Sequence, residues 1–188
     1  MAAGARSFRH GAGRICLDFI RTLRYRGRAG EAEELGNEAA LADWLTEFGP
    51  VKQERLPAAS ELAGSRRLRE AIHELITSAR DGAVCAPALL EIINEAAARA
   101  VPAPRIDAGR QLSWHADDPV EAVLALVARD ALDLVTSPAV GRLRECANPE
   151  CRVLFLDSSR PGVRRWCDMS TCGNQAKKAA FRGRPVTA

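Results

Sequence analysis

Four cysteines carry the clearest chemistry in this chain. Cys146, Cys151, Cys167 and Cys172 spell C-x4-C-x15-C-x4-C, two close pairs separated by fifteen residues. A short pair can deliver two thiolates from one tight turn, and zinc takes four such soft ligands in a tetrahedron. Two disulfides, or four unrelated thiols, are the alternative; the regular spacing and a reducing compartment favour the metal. Four sulfurs fill the coordination sphere and leave no open position for a water nucleophile, so the expected zinc is single and structural. Four thiolates and one Zn2+ sum to a charge of about −2. The basic neighbours Arg152, Arg165 and Lys177 would help keep the sulfurs deprotonated.

The segments between the pairs must bring them together. Residues 153–156 read as a strand, 158–162 as a turn and 164–166 as a returning strand. The second pair follows at once, and a terminal helix is expected from residue 173 to about residue 182. The order is then knuckle, hairpin, knuckle, helix, a treble-clef-like layout. Its apolar content is little more than Val153, Leu154, Phe155, Leu156, Trp166 and Phe181, so its folding should depend on the metal.

The rest of the chain reads as helices. A first helix is expected after Gly13, with Leu17, Phe19, Ile20 and Leu23 at helical spacing before a loop at Gly27 and Gly30. Asn37 suits the N-cap of a helix carrying Leu41, Trp44, Leu45 and Phe48, stopped by Gly49-Pro50. A longer helix should run from Ser60 to about Arg80, closed by Asp81-Gly82. A fourth opens at Pro87 and ends before Pro102, and a fifth opens at Asp118-Pro119 and ends at Ser137-Pro138. Between the last two, Ile106 and Leu112-Ser113-Trp114 flank a turn at Asp107-Ala108-Gly109, the pattern of a small hairpin. The expected fold class is α+β: a mainly helical N-terminal domain with a small β-hairpin, then a treble-clef-like zinc finger.

Charge places the boundary between them. The last 47 residues hold ten Lys+Arg against four Asp+Glu, a balance of +6; the preceding 141 hold 17 against 20, a balance of −3. The near-neutral whole therefore conceals a polarised molecule. Domains are expected at 1–141 and 142–188.

Composition excludes several classes. At 188 residues with 47% hydrophobic and 27% charged, the chain is globular and long enough for a core without disulfide staples. The apolar share includes 34 Ala, which suits an Ala/Leu helical core. The 24 Arg against three Lys fit coding bias in a G+C-rich genome, so Arg richness alone argues for no partner. The longest run free of Asp, Glu, Lys and Arg is nine residues, 82–90, far short of a membrane span. The first fourteen residues lack an apolar signal core, which points to the cytoplasm, an organellar transit peptide being the other reading of a basic start. His10, His73 and His115 have no paired spacing, Cys16 and Cys85 read as small buried hydrophobes, and no nucleophile triad or phosphate loop is present. An enzyme is not indicated.

The residues also carry a resemblance. Cys172-Gly173-Asn174-Gln175 after Arg164-Arg165-Trp166-Cys167 resembles the CGNR zinc finger family. In that family the finger follows a helical ABATE domain, and Leu17-Asp18-Phe19-Ile20-Arg21-Thr22 with residues 41–45 is similar to its opening. The resemblance implies zinc ligation by Cys146, Cys151, Cys167 and Cys172, and a stress-linked role in transcription. Gln175 stands where the motif has Arg, and Arg21 stands where Asn is expected.

The expected function is DNA binding by the finger. Lys177, Lys178, Arg182 and Arg184 would contact phosphates, Arg164 and Arg165 would approach the duplex from the hairpin, and Asn174 and Gln175 could read adenine edges. The alternative, from a different class, is a zinc-stabilised protein-interaction module. A solvent-facing Trp166 or Leu156 with scattered cations would favour that, whereas one stripe of Arg164, Arg165, Lys177 and Lys178 favours DNA. The helical domain is expected to sense a ligand or to dimerise, with a pocket near Asp18, Arg21 and Trp44, because Asp18 and Arg21 interrupt an apolar helix. Partners are then DNA, and a protein or a second copy of the chain; no membrane is expected.

Overall fold

The structure, a computed structural model, describes residues 8–182, with side chains through residue 178. Local signals set most of the helices. Asn37 accepts a hydrogen bond from Ala40 N and starts α2 (Glu38–Phe48). Gly82, in the left-handed region at φ 69°, closes α3 (Ala59–Asp81). Proline opens both α4 (Pro87–Ala98) and α5 (Pro119–Thr136), the latter with Asp118 accepting from Glu121 N. These helices match the sequence expectations, as does the hairpin of β3 (Ala103–Ile106) and β4 (Leu112–His115), whose register pairs Ile106 with Leu112.

The first helix departs from expectation. α1 (Ile15–Ile20) has six residues and stops before Leu23, which instead lies on β1 (Leu23–Arg24), paired with β2 (Ala32–Glu33). Thr22 ends the helix: its hydroxyl donates to Phe19 O at 2.7 Å, while its own carbonyl accepts from Glu34 N at 2.9 Å. The helix start is held from outside. Asp130 on α5 accepts from Cys16 N at 3.0 Å and from Arg14 Nε at 2.7 Å, which caps a turn that the side chain of its own N-cap residue, Arg14, does not cap.

Helices α3 and α5 pack against α1, and five of its six residues are buried. Trp44 on α2 closes this core, its ring centroid 4.8 Å from those of both Phe19 and Phe48. Gly49 lets α2 end there. A Cβ at that position would lie 2.6 Å from both Leu45 O and Val123 Cγ2, a separation real side chains do not tolerate. Gly49→Ala is therefore expected to cost about 1–3 kcal/mol. Urea titration checks this, and an unchanged midpoint would contradict close packing of α2 on α5.

The C-terminal segment shares the same core. β5 (Leu143–Glu145) pairs antiparallel with β6 (Leu154–Leu156), and Leu143, Leu154 and Phe155 belong to one hydrophobic cluster with Leu17, Ile20 and Ile76. Leu156 N donates to Ala12 O at 2.8 Å, and Gly13 sits so close that a Cβ there would meet Leu156 Cβ at 3.0 Å. Arg80 Nη1 reaches Glu145 at 3.0 Å across the same junction.

Here too the expected hairpin is corrected. β6 pairs with β5, not with residues 164–166, so the strand pair flanks the first cysteine pair instead of filling the spacer. Residues 164–166 form no strand because their backbone groups are taken elsewhere. Arg164 N donates to Asp157 Oδ2 at 2.9 Å, and Arg165 O accepts from Ala147 N at 2.9 Å. The terminal helix α6 (Asn174–Arg182) follows the second pair as expected. No helix among the described residues is long and apolar enough to cross a membrane.

Candidate metal centre

Each cysteine pair sits on a turn that the sequence builds locally. Cys146 directly follows β5, with its N–H donating to Val153 O at 2.9 Å. Asn148 then organises the first knuckle. Its carbonyl accepts from both Cys151 N and Arg152 N, and its side-chain oxygen accepts from Glu150 N at 3.1 Å. Arg152 completes the turn in the left-handed region, φ 48°. In the second knuckle Asp168 accepts from Thr171 N at 2.9 Å and Ser170 Oγ at 2.6 Å, fixing the single wide turn Met169–Gly173 that carries Cys172 into α6. Gly173 packs closely against Met169: a Cβ would meet its Sδ at 3.0 Å, so a side chain there would have to displace the methionine.

The two turns bring all four sulfurs within 4.8 Å of one another, and all four residues are buried. Cys167 Sγ lies 3.6 Å from Cys151 Sγ and 3.8 Å from Cys172 Sγ. Zinc–sulfur bonds of about 2.3 Å give a tetrahedron with edges of about 3.8 Å. A disulfide needs sulfurs about 2 Å apart, and all six cysteines are free. The arrangement fits one structural zinc ion held by Cys146, Cys151, Cys167 and Cys172. Bound there, the metal supplies a cross-link between the two turns.

Polar neighbours hold this frame. Asn148 Nδ2 donates to Cys172 Sγ at 3.7 Å and to Gln175 Oε1 at 2.9 Å, so the first knuckle grips both a sulfur of the second and the start of α6. Outer contacts of this kind orient metal ligands and disperse thiolate charge. Asn148→Ala is expected to weaken zinc retention about tenfold, measured by competition with a chromogenic chelator. Unchanged competition would show that the contact is incidental.

The structure distributes the expected DNA-contact residues unequally. Arg165, Asn174, Gln175, Lys177 and Lys178 are exposed. Arg165 lies over the Trp166 ring, 5.2 Å from its centroid, and Asn174 Nδ2 donates to Ser170 O at 2.9 Å. Gln175 is engaged by Asn148. Arg164 turns inward: its guanidinium donates to Trp166 O at 2.8 Å and to Cys167 O, and stands 4.8 Å from the Phe155 centroid. It braces the second knuckle and does not join a stripe with Arg165, Lys177 and Lys178. The side chains of Phe181 and Arg182, and all of Arg184, lie outside the described residues.

Asp18, Arg21 and Trp44, expected to share a pocket, are all buried but do not line one cleft together. Asp18 accepts from Ala12 N at 3.1 Å and from Arg21 Nη1 at 3.3 Å. Trp44 lies in the aromatic core. Of the three, Arg21 alone borders a cleft of about 220 Å³ between α3 and the first knuckle, whose other walls sequence reasoning missed. Its walls come from segments more than a hundred residues apart, and no local pattern announces it.

Fold and site together define a mainly helical domain that carries a C-terminal four-cysteine zinc finger. Two family models match: ABATE, described as putative stress-induced transcription regulator, over residues 13–138, and the CGNR zinc finger over residues 142–185. The chain belongs to the ABATE family and bears a CGNR finger. Among the curated proteins none matches it.

Proposed function

We propose that this chain is a non-catalytic transcription regulator whose zinc finger, residues 142–188, binds duplex DNA. The observation that carries the reading is the unpaired positive charge exposed on the finger. Arg165, Lys177 and Lys178 are exposed, and none has a carboxylate partner among the described residues. Cations left unpaired on a segment of balance +6 are free to replace the counterions of a phosphate backbone. Asn174, at the head of α6, has an amide suited to an adenine edge, and Gln175 serves the knuckle. The helical part, residues 1–141, supplies the platform on which the finger is seated, and acts as sensor or dimerisation element.

A second reading has its own support. Val163 and Met169 are 70% and 51% exposed on either side of the half-buried Trp166, and Ile106 and Leu112 are exposed on the β3–β4 hairpin. Such apolar groups suit a protein partner. The two readings part on one experiment: binding of a fluorescent duplex by the zinc-loaded chain and by its Lys177→Glu/Lys178→Glu variant. Loss of affinity in the variant supports DNA; absence of binding by the parent supports the protein-interaction module.

A further inference from the structure

The cleft between α3 and the first knuckle has features that zinc binding and DNA binding leave unexplained. Its floor is apolar, from Ile20, Leu23, Val153 and Leu154. Around that floor stand four arginines, each paired with a carboxylate: Arg21 with Asp18, Arg26 with Glu70, Arg80 with Asp81 and Glu145, and Arg152 with Glu145. Glu145 is shared, since it accepts from both Arg80 and Arg152.

Two polar atoms at this cleft are buried without a partner. Of the four such side-chain atoms among the described residues, Arg21 Nη2 and Thr77 Oγ1 belong to residues that line it. The Arg21 side chain is only 2% exposed; its Nη1 donates to Asp18 and to His10 O, and Glu34 also feels its charge. Buried donors left unpaired are costly and rare, and two beside one cavity mark a place where a bound molecule supplies acceptors. The imidazole of His73, also in the wall, is pushed down to about 4 by burial and by the charge of Arg26. It is neutral at neutral pH and adds no charge to the cleft.

We infer that this cleft is a binding site for a small organic carboxylate with an apolar body, held with its carboxylate among the arginines and its body on the Ile20, Leu23 and Leu154 floor. The volume is below the range that takes drug-sized ligands and suits a molecule of about ten heavy atoms. Inorganic anions would leave the apolar floor uncovered, and purely apolar molecules would leave Arg21 Nη2 without an acceptor. Because Cys151 and Val153 line the cleft opposite α3, a ligand there touches both the helical part and the metal-bearing turn. The assignment does not depend on DNA binding.

The test uses the full zinc-loaded chain without DNA and follows 4-fluorobenzoate by fluorine NMR. Saturable broadening is expected, with 4-fluorobenzamide failing to bind and inorganic phosphate failing to displace the carboxylate. Thr77→Leu, which fills the cleft, and Arg80→Met, which removes a cation from its wall, are each expected to weaken binding at least about tenfold while retaining one zinc per chain. Absence of benzoate binding overturns the proposal. So does equal binding of the benzamide, displacement by phosphate, or undiminished binding in both zinc-retaining variants.

Discussion

Cys167→Ser is expected to strip the chain of its zinc and unfold the C-terminal segment. Cys167 joins the two knuckles, its sulfur within 3.8 Å of Cys151 and Cys172. A serine hydroxyl is a harder, poorly ionised donor, and a three-sulfur site binds zinc far less tightly. Structural zinc contributes about 10–16 kcal/mol in small finger peptides, as much as the whole stability of an ordinary domain. The strands β5 and β6 have three residues each and could not replace it. Because Leu143, Leu154 and Phe155 belong to the core around α1, the loss is expected to spread and lower the melting temperature of the helical part as well. Metal analysis with a thermal melt checks this. A variant that keeps one zinc per chain and melts with the parent would refute the structural role.

Lys177→Glu/Lys178→Glu should have the largest effect on nucleic-acid binding without disturbing the fold. Both side chains are exposed, and neither takes part in a salt bridge among the described residues. Each phosphate contact releases counterions and contributes about −0.9 to the slope of log affinity against log salt. Removing two contacts should therefore flatten the slope by about 1.8, and the introduced repulsion should lower affinity further at low salt. Arg164 is the wrong residue for this purpose, since its guanidinium fastens the carbonyls of Trp166 and Cys167. Anisotropy titrations at several salt concentrations give the slope directly. An identical slope in the variant would remove α6 from the interface.

What could be read in the sequence follows from how local each signal is. Helices α2 to α5 announce themselves through Asn37, Gly82, Pro87 and Asp118-Pro119, all within one turn of the boundary they set. The four cysteines were equally legible, because a metal site imposes residue type and spacing together. Where the expectations failed, a distant group decides. Helical spacing favours Leu23 on α1, but Thr22 and its bond to Glu34 end the helix. β6 was expected to pair with residues 164–166, and Asp157, by engaging Arg164 N, takes that segment out of the ladder. Arg164 looked like a surface cation because nothing in its own segment shows that Trp166 O and Cys167 O need a donor. A pocket was expected near Arg21, but with Asp18 and Trp44 as its other walls, because Arg21, Thr77 and Val153 meet only in the folded chain.

The most direct measurement is the affinity of the zinc-loaded chain for an unrelated duplex across a salt series, repeated after the metal is removed by a chelator. Binding that weakens steeply with salt and vanishes with the zinc is the expected result, because the proposed phosphate contacts lie on a segment whose fold depends on the four cysteines holding their metal. Binding that survives chelation, or no binding even at low salt, would contradict a DNA-binding zinc finger in this chain.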